Sequence, residues 1–278
     1  MAGISLVTKY QSRTSDLIKA KRKSKGFTNQ DWNWDGSEAI KVATLISPDL
    51  VDYTPNGNNR YGEASEVEDT MQTWTLTEDR AWTKSMDKKN TQDDGGIRQA
   101  GRYLAQVTRE KMIPEIDAYI FQTIVTAGEV ANRDDIVTDA ATTSSNAYSN
   151  FTEINADITD NEAPEEGRVA AMTADYYNML KQSGFVLDTG SFDKSRHTGD
   201  LGQVDNVSVT IVPSSRMPAN TDLIISHPSV CVAPEKLIDY TLHKNPVGIS
   251  GMLLEYRHRY DAFVDNNKTY SIGIHKTA

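Results

Sequence analysis

The sequence predicts an α+β fold, and three features of its 278 residues support this. Segments with apolar residues every three or four positions, which indicate helices, are separate from segments in which apolar and polar residues alternate. The alternating segments are joined by short turns, so the chain lacks the regular strand–helix–strand order of a parallel sheet. The hydrophobic share of 38% is enough for one large domain or two lobes with ordinary cores.

Residues 1–36 are interpreted as an N-terminal arm. Seven Lys and Arg side chains lie between Lys9 and Lys25, against the single acid Asp16. The whole chain has a formal net charge of −10, so contact with nucleic acid needs a local basic patch of this kind. A solvated charged segment is the favoured interpretation, and contact with nucleic acid or with a neighbouring molecule is the alternative. The candidate contact residues are Lys19, Lys21, Arg22, Lys23 and Lys25.

Residues 31–36, DWNWDG, match the first half of a calcium loop, in which oxygen ligands alternate and a glycine permits a sharp turn. The candidate ligands are Asp31, Asn33 and Asp35. The twelfth position, where such loops have a bidentate glutamate, is Val42. The motif therefore predicts at most a weak calcium site, and a simple turn bonded by an aspartate side chain is the favoured interpretation.

Residues 39–46, AIKVATLI, are predicted to form a strand that enters the core. Two more strand patterns follow at 73–77 and 81–86, and we expect them to pair as one long hairpin. An isolated two-stranded hairpin is marginal in water, so the rest of the chain or a neighbouring copy must cover its apolar side chains. The acidic approach at 63–69 favours a projecting hairpin that a neighbour covers. The side chains that need this cover are Trp74, Leu76 and Trp82.

A long helix is predicted from about residue 94 to 127. Apolar residues recur at helical spacing on both sides of Pro114. Proline has no N–H to donate and its ring crowds the preceding turn, so the helix must end or bend there. Because the apolar stripe resumes at once, we expect a bend.

The remainder of the chain is predicted to contain further helices and strands. Cys231, the only cysteine of the chain, lies in this part. The predicted helices are 148–160 and 173–184, and the predicted strands are 168–172, 185–187, 207–212 and 223–226. Residues 253–264 alternate apolar and polar side chains, and the turn DNNK after them predicts a terminal hairpin. His258, between two arginines, is expected on the sheet surface.

Signatures of common enzymes are missing from the sequence. It contains no phosphate loop, dinucleotide-binding glycine pattern, HExxH helix or GxSxG elbow, and its five histidines are scattered. A single cysteine allows neither an internal disulfide nor a thiolate zinc cluster. We therefore expect no enzyme and no cofactor. The first residues lack the apolar core of a signal peptide and no run reaches the ~18 apolar residues of a membrane helix, so we expect no membrane partner.

Two adjacent segments resemble a known family. The succession WTLTEDRAWTKSMDKKNTQDD, then GRYLAQVTREKMIPEIDAYIFQTI, resembles the E-loop and spine helix of tailed-bacteriophage major capsid proteins, the Hong Kong 97-type fold that encapsulin shells also use. Downstream, LGQVDNVSVTIVPSSRMP resembles the A-domain of these proteins, and EYRHRYDAFVDNNKTYSIGIH resembles their closing P-domain strands. The resemblance covers most of residues 38–278.

The resemblance implies a phage major capsid fold with an N-arm, an extended E-loop hairpin, a P-domain built on a long bent spine helix, and an A-domain. The implied divisions are 1–36 for the N-arm, 37–54 for the strand that enters the P-domain, 55–92 for the E-loop, 93–130 for the spine helix, 131–240 for the A-domain and 241–278 for the closing P-domain strands. The implied subunit contacts are Trp74, Leu76, Arg80, Trp82 and Pro114.

The resemblance also implies a function. The chain would be a structural protein that assembles through hexamers and pentamers into an icosahedral shell around double-stranded DNA, with at most weak, non-specific contact to that DNA. The partners implied are other copies of the chain, a separate scaffolding protein and a portal. Assembly would occur in the bacterial host cytoplasm and the product would be the virion capsid. The alternatives are an encapsulin-like compartment shell and, from another class, a calcium-dependent hydrolase that uses acidic residues.

Overall fold

The computed structural model describes residues 21–29, 39–45, 47–53, 55–56, 59–64, 66–89, 100–134, 136–137, 141–183 and 203–277. The strands are β1 (Thr28–Asn29), β2 (Ala39–Leu45), β3 (Asp69–Thr75), β4 (Glu78–Asp87), β5 (Val169–Met172), β6 (Gln203–Val204), β7 (Val207–Ile211), β8 (Thr221–Ser226), β9 (Cys231–Val232), β10 (Glu235–Lys244), β11 (Gly251–Tyr260), β12 (Phe263–Val264) and β13 (Ile272–Lys276). The helices are α1 (Ala100–Val107), α2 (Ile113–Val130), α3 (Ala147–Asp160) and α4 (Ala174–Gln182).

A five-stranded sheet with the order β13-β8-β5-β7-β6 forms the centre of one part of the chain. Alternate side chains of its strands face opposite sides, as the pleat of a strand requires. Ile224 packs with α2 on one side of the sheet, and its neighbours Leu223 and Ile225 pack with α3 and α4 on the other. Within this five-stranded sheet only β5 and β7 pair in parallel, so the sheet lacks the repeated crossover of a βαβ fold. The α+β prediction is therefore confirmed.

Gly273 allows the close packing of α3 on this sheet. A Cβ atom at this position of β13 would lie 2.3 Å from Cγ2 of Ile154 on α3. Such a distance is far below a normal contact, so any larger residue would push the helix away from the sheet.

A long helix, defined as residues 100–130, consists of α1, a π-helical stretch from Thr108 to Met112, and α2. The Ile113 N–H donates to the Thr108 carbonyl, which is the i to i−5 bond of a π-turn. Pro114 follows at once in the first turn of α2, and because it has no N–H, the carbonyl of the preceding turn that would accept from it lacks that donor. The structure thus places a change of hydrogen-bond pattern at the proline, and the bend expected there stays a prediction.

The predicted hairpin of residues 73–77 and 81–86 is wrong. β3 pairs antiparallel with β2, so the hairpin of this region is β2–β3, and β4 pairs with β11 in the three-stranded sheet β10-β11-β4. The predicted terminal hairpin is also wrong, since β11 pairs with β10 and β4 while β13 pairs with β8. Alternation identifies a strand and its buried face, but long-range packing selects its partner strand.

Two further expectations differ from the structure. Residues 24–29, which the sequence placed in the arm, lie in the body, where Phe27 is fully buried against Phe121 and β1 pairs with β9. His258, expected on the sheet surface, is 2% exposed and lies between the rings of Tyr256 and Tyr260. The predicted strand at 185–187 lies outside the described residues.

Candidate intermolecular contact surfaces

The hairpin tip, defined as residues 47–68 between β2 and β3, exposes large apolar side chains. Leu50 is completely exposed, and Tyr61 packs only edge-on against Tyr53 with their ring centroids 5.0 Å apart. Soluble monomers rarely expose so many large apolar groups in one segment without an interaction to make. The exposed residues of the tip and of the adjoining strand ends are Leu45, Leu50, Val51, Tyr53, Tyr61, Val67 and Met71.

The hairpin tip is also acidic. It contains five carboxylates and one base, Arg60. None of these carboxylates forms an ion pair with another residue in the described part of the chain. The acids are Asp49, Asp52, Glu63, Glu66 and Glu68. An acidic segment with exposed apolar side chains suits a contact surface that is both basic and apolar.

The base of the hairpin is covered by the chain itself. Trp74 is 3% exposed and stacks on Phe263, and Leu76 is equally buried in the same cluster with Val42 and Val232. The expectation that a neighbouring copy covers these two side chains is therefore wrong. Their local sequence places apolar residues among threonines. This pattern is the same for a strand that its own chain buries and for one that a second copy buries.

The other contact residues implied by the resemblance cluster where β4 meets the long helix. Arg80 forms a 2.6 Å ion pair with Glu115, the residue after the half-buried Pro114, and this carboxylate raises the pKa of the guanidinium. Trp82 is half-buried and stacks on Tyr256 with the ring planes 14° apart. The structure therefore brings Arg80, Trp82 and Pro114 to one region, with Arg80 60% exposed at its surface.

Asp261 joins the hairpin to the long helix, a role that sequence analysis missed. Its carboxylate is 3% exposed and accepts hydrogen bonds from the Tyr119 hydroxyl (2.6 Å), the Thr77 N–H (2.7 Å) and the Thr77 hydroxyl (3.0 Å). Burial, and then this carboxylate, raise the pKa of Tyr119, so the phenol remains a hydrogen-bond donor. Nothing in the local sequence DAF distinguishes Asp261 from a turn residue.

The sheet end, defined as residues 84–89 and 242–252, is basic and partly apolar. Its lysines outnumber its one carboxylate, Asp87, and their ammonium groups make no ion pair with another described residue. Leu242, Val247 and Met252 are exposed beside them. The lysines are Lys84, Lys88, Lys89 and Lys244. The sheet end thus has the opposite charge to the hairpin tip and a similar exposed apolar character.

The described part of the basic arm lies against the body. The Arg22 guanidinium pairs with Glu235, whose pKa is lowered to about 2 by the His258 ring at 3.6 Å and by Arg22. Lys21 and Lys25 are exposed and Lys23 is half-buried. Lys19 and the calcium-loop candidates Asp31, Asn33 and Asp35 lie outside the described residues.

Asp117 holds the residues around Arg22 in place. It lies on α2 and is fully buried. It accepts hydrogen bonds from the backbone N–H groups of Lys23 (2.9 Å) and Ser24 (3.1 Å), and Arg216 donates to it at 2.8 Å.

Among the residues that the structure describes, no group of three or more His, Cys, Asp or Glu side chains could hold a metal ion. Within the same ranges, no helix is both long enough and apolar enough to cross a membrane.

No protein-family model matches the sequence, and no curated protein matches it. Solved structures do match over nearly the whole chain. A chain from Mycobacterium phage Che8 is 14% identical, with a TM-score of 0.78 over 99% of this chain and 98% of that chain. The capsid structure of Cyanophage P-SCSP1u is 11% identical, with a TM-score of 0.73 over 99% of this chain and 93% of that one. The mature capsid of bacteriophage PhiM1 is 12% identical, with a TM-score of 0.74 over 100% and 95%.

At these identities the likeness establishes the fold, and it confirms the fold that the resemblance implied. The chain has the α+β fold of these phage capsid structures.

Proposed function

We propose that this chain is the major capsid protein of a tailed phage or prophage, a structural subunit rather than an enzyme. The observation that supports this most strongly is the match to phage capsid structures over 99–100% of the chain, with 93–95% of those chains also covered. A match of that extent includes the hairpin and the long helix as well as the sheets, so the whole architecture is shared and not one common motif.

In this proposal the copies contact one another head to tail. The acidic hairpin tip of one copy lies on the basic sheet end of the next, where Leu50 and Tyr61 would gain cover from Leu242 and Met252. Within one chain neither surface is neutralised by the other, since neither the five carboxylates of the hairpin tip nor the four lysines of the sheet end form an ion pair with another described residue. Contacts between two different patches close into rings, which would give the hexamers and pentamers of an icosahedral shell.

The remaining partners follow from the same proposal. The divisions implied by the resemblance, the N-arm, E-loop, P-domain and A-domain, are proposed for this chain, with the E-loop extended to include the β2–β3 hairpin. The basic arm would contact a neighbouring copy, a separate scaffolding protein and a portal would guide assembly in the bacterial host cytoplasm, and the virion capsid would enclose double-stranded DNA. The net charge of −10 suits weak contact with that DNA.

The test is the assembly state of the purified full chain, followed by size-exclusion chromatography with light scattering and electron microscopy of the large species. We expect closed shells, or rings of five or six copies. A matched pair of variants makes the test specific. Leu50→Ser with Tyr61→Ser alters the hairpin tip, and Val130→Ser alters an exposed apolar side chain at the end of α2.

The tip variant should remain folded and lose large species, whereas Val130→Ser should assemble like the wild-type chain. A wild-type chain that stays monomeric at every protein and salt concentration would overturn self-assembly. Shells that form equally well from the tip variant would exclude the hairpin tip as the contact.

A further inference from the structure

A buried ion pair between Asp117 and Arg216, here called the clamp, holds residues 21–24 of the N-terminal arm. The side chains of Asp117 and Arg216 are 0% and 4% exposed, and their atoms Oδ2 and Nη1 are 2.8 Å apart. Asp117 Oδ1 accepts from both the N–H (3.1 Å) and the hydroxyl (2.7 Å) of Ser24, and its Oδ2 accepts from the N–H of Lys23 (2.9 Å). Arg216 donates to the carbonyl of Lys21 at 3.0 Å.

These bonds are directed at the arm. Apart from the bond between the two side chains, every bond described above ends on residues 21–24, which belong to no strand. Replacing a buried ion pair by apolar residues is often neutral or stabilising, so such a pair is weak as a source of stability. In some proteins such a pair instead fixes a unique position for the groups that it binds.

The chain after the clamp is held by other means. Phe27 is fully buried and packs edge-on against Phe121, and β1 pairs with β9. Loss of the clamp should therefore release residues 21–24 and whatever precedes them, and leave the following residues in the body. The clamp thus holds residues 21–24 by bonds that are separate from those that hold residues 27–29.

The charge of the arm suits another copy of this chain. Residues 9–25 hold seven basic side chains and one acidic side chain, a net charge of +6, so the rest of the chain carries −16 of the total of −10. Because these net charges are opposite, the arm of one copy is attracted to the body of another, and another copy of this chain can serve as the partner of the arm. A nucleic acid is the other polyanion that such an arm would bind, and the experiment below separates the two.

We propose that Asp117 and Arg216 are positioning residues for assembly: they set the point from which the basic arm reaches the acidic surface of a second copy. The proposal rests on the proposed function and adds the residues through which the arm acts. The partner is the body of the same chain, and the contact is electrostatic.

The clamp itself is tested on the unassembled chain by limited trypsin digestion, with the N-terminal fragments identified by mass spectrometry. In Asp117→Asn, cleavage at Lys21, Arg22 and Lys23 should be faster by on the order of tenfold, the factor expected when charge-assisted hydrogen bonds to the backbone are weakened. Glu129→Gln, which removes a carboxylate from the same helix at its pair with Lys276, should leave these rates unchanged. Equal cleavage of Asp117→Asn and wild type would overturn the clamp.

The role of the clamp in assembly is tested by combining Asp117→Asn with an arm variant. The arm variant is the full-length chain with three substitutions together, Lys9→Gln, Arg13→Gln and Lys19→Gln. If the clamp acts through the arm, each change alone should reduce assembly, and the combination should be no worse than the arm variant alone, because the three charges that the clamp would position are then absent. A merely structural role predicts that Asp117→Asn lowers assembly by the same factor in both backgrounds, and this result would overturn the proposal.

Two further outcomes are decisive. If both variants assemble normally but lose retention on double-stranded DNA, the partner of the arm is nucleic acid and the proposal is wrong. If the wild-type chain never assembles, the proposed function fails and the assembly role of the clamp fails with it. The trypsin result would still distinguish that failure from an absent clamp.

Discussion

Trp74 and Phe263 stack face to face, with ring centroids 5.5 Å apart and ring planes only 7° from parallel. The contact joins β3, at the base of the hairpin, to β12, almost two hundred residues later in the chain. It makes Trp74 part of the core of this chain, so the hairpin is anchored at its base.

The first prediction follows from this burial. Trp74→Ala should lower the free energy of unfolding by ~3–5 kcal/mol, as expected when a large aromatic side chain is removed from a core. Equilibrium unfolding in urea, followed by fluorescence or circular dichroism, measures this. Trp82→Ala is the matched control, because Trp82 is only half-buried, and its effect should be clearly smaller. Equal effects would contradict the assignment of Trp74 to the core.

The second prediction concerns Asp261, which bonds both Tyr119 and Thr77. Asp261→Asn removes one acceptor, so one buried donor loses its partner, at a cost of about 2 kcal/mol. Amide hydrogen exchange should become faster at Thr77 and along the hairpin, and stay unchanged in the five-stranded sheet. Asp239→Asn, on the exposed side of β10, should alter neither quantity. A uniform loss of protection across the chain would show that Asp261 supports the whole fold instead of this junction.

The third prediction tests the charges proposed for the contact between hairpin tip and sheet end. Lys84→Glu with Lys244→Glu should reduce assembly, and so should Glu63→Lys with Glu66→Lys, because each places like charges opposite one another. The two pairs of changes combined in one chain should restore assembly in part. Light scattering measures all three.

Wild-type assembly should also weaken as salt rises from about 50 mM to about 500 mM, since exposed charges are then screened. Asp160→Lys is the control for Glu63→Lys and Glu66→Lys. It makes the same acid-to-lysine change at the exposed end of α3, away from the hairpin tip, and the variant should assemble normally. Failure of the combined variant to improve on either pair alone would argue against direct pairing of the two surfaces.

The fourth prediction concerns pH. The His258 ring and the Arg22 guanidinium lower the pKa of Glu235 from 4.5 to about 2 in the folded chain. Because the folded pKa is depressed, Glu235 adds stability above pH 4.5, and this contribution is lost as the pH falls from about 4.5 to about 2. The wild-type chain should therefore exceed Glu235→Gln in unfolding free energy at pH 6, and the difference should shrink towards pH 3. A difference that is independent of pH would contradict this assignment.

The fifth prediction compares two glycines. A Cβ atom on Gly251 would lie 1.9 Å from the backbone oxygen of Met86, so Gly251→Ala must separate β11 from β4 at the sheet end and should lower the melting temperature. Around Gly101, on α1, no described atom beyond its chain neighbours and the nearby backbone of its own helix lies within 4 Å of such a Cβ, so Gly101→Ala should stabilise the helix by up to about 1 kcal/mol. Differential scanning calorimetry measures both. A stable Gly251→Ala chain would show that the sheet end can open without cost.

The sequence alone determined the class of fold and most of its elements. Helical periodicity located α3 and α4 to within a few residues and the long helix over its described residues, and the sequence also located β2, β5, β7 and β8. These patterns are local, because a helix or strand must place its apolar residues on one face whatever that face meets. The resemblance of 74–124 to phage capsid proteins added the architecture, which the solved capsid structures confirm.

Only the tertiary structure decided which strands pair and which polar groups are buried. The pairing of β3 with β2 and of β4 with β11 depends on contacts across many residues, and the alternation within each strand is the same for either partner. Asp117 and Asp261 look like surface acids in the sequence. Their role depends on donors that only the folded chain brings to them, from residues 93 and 184 positions away.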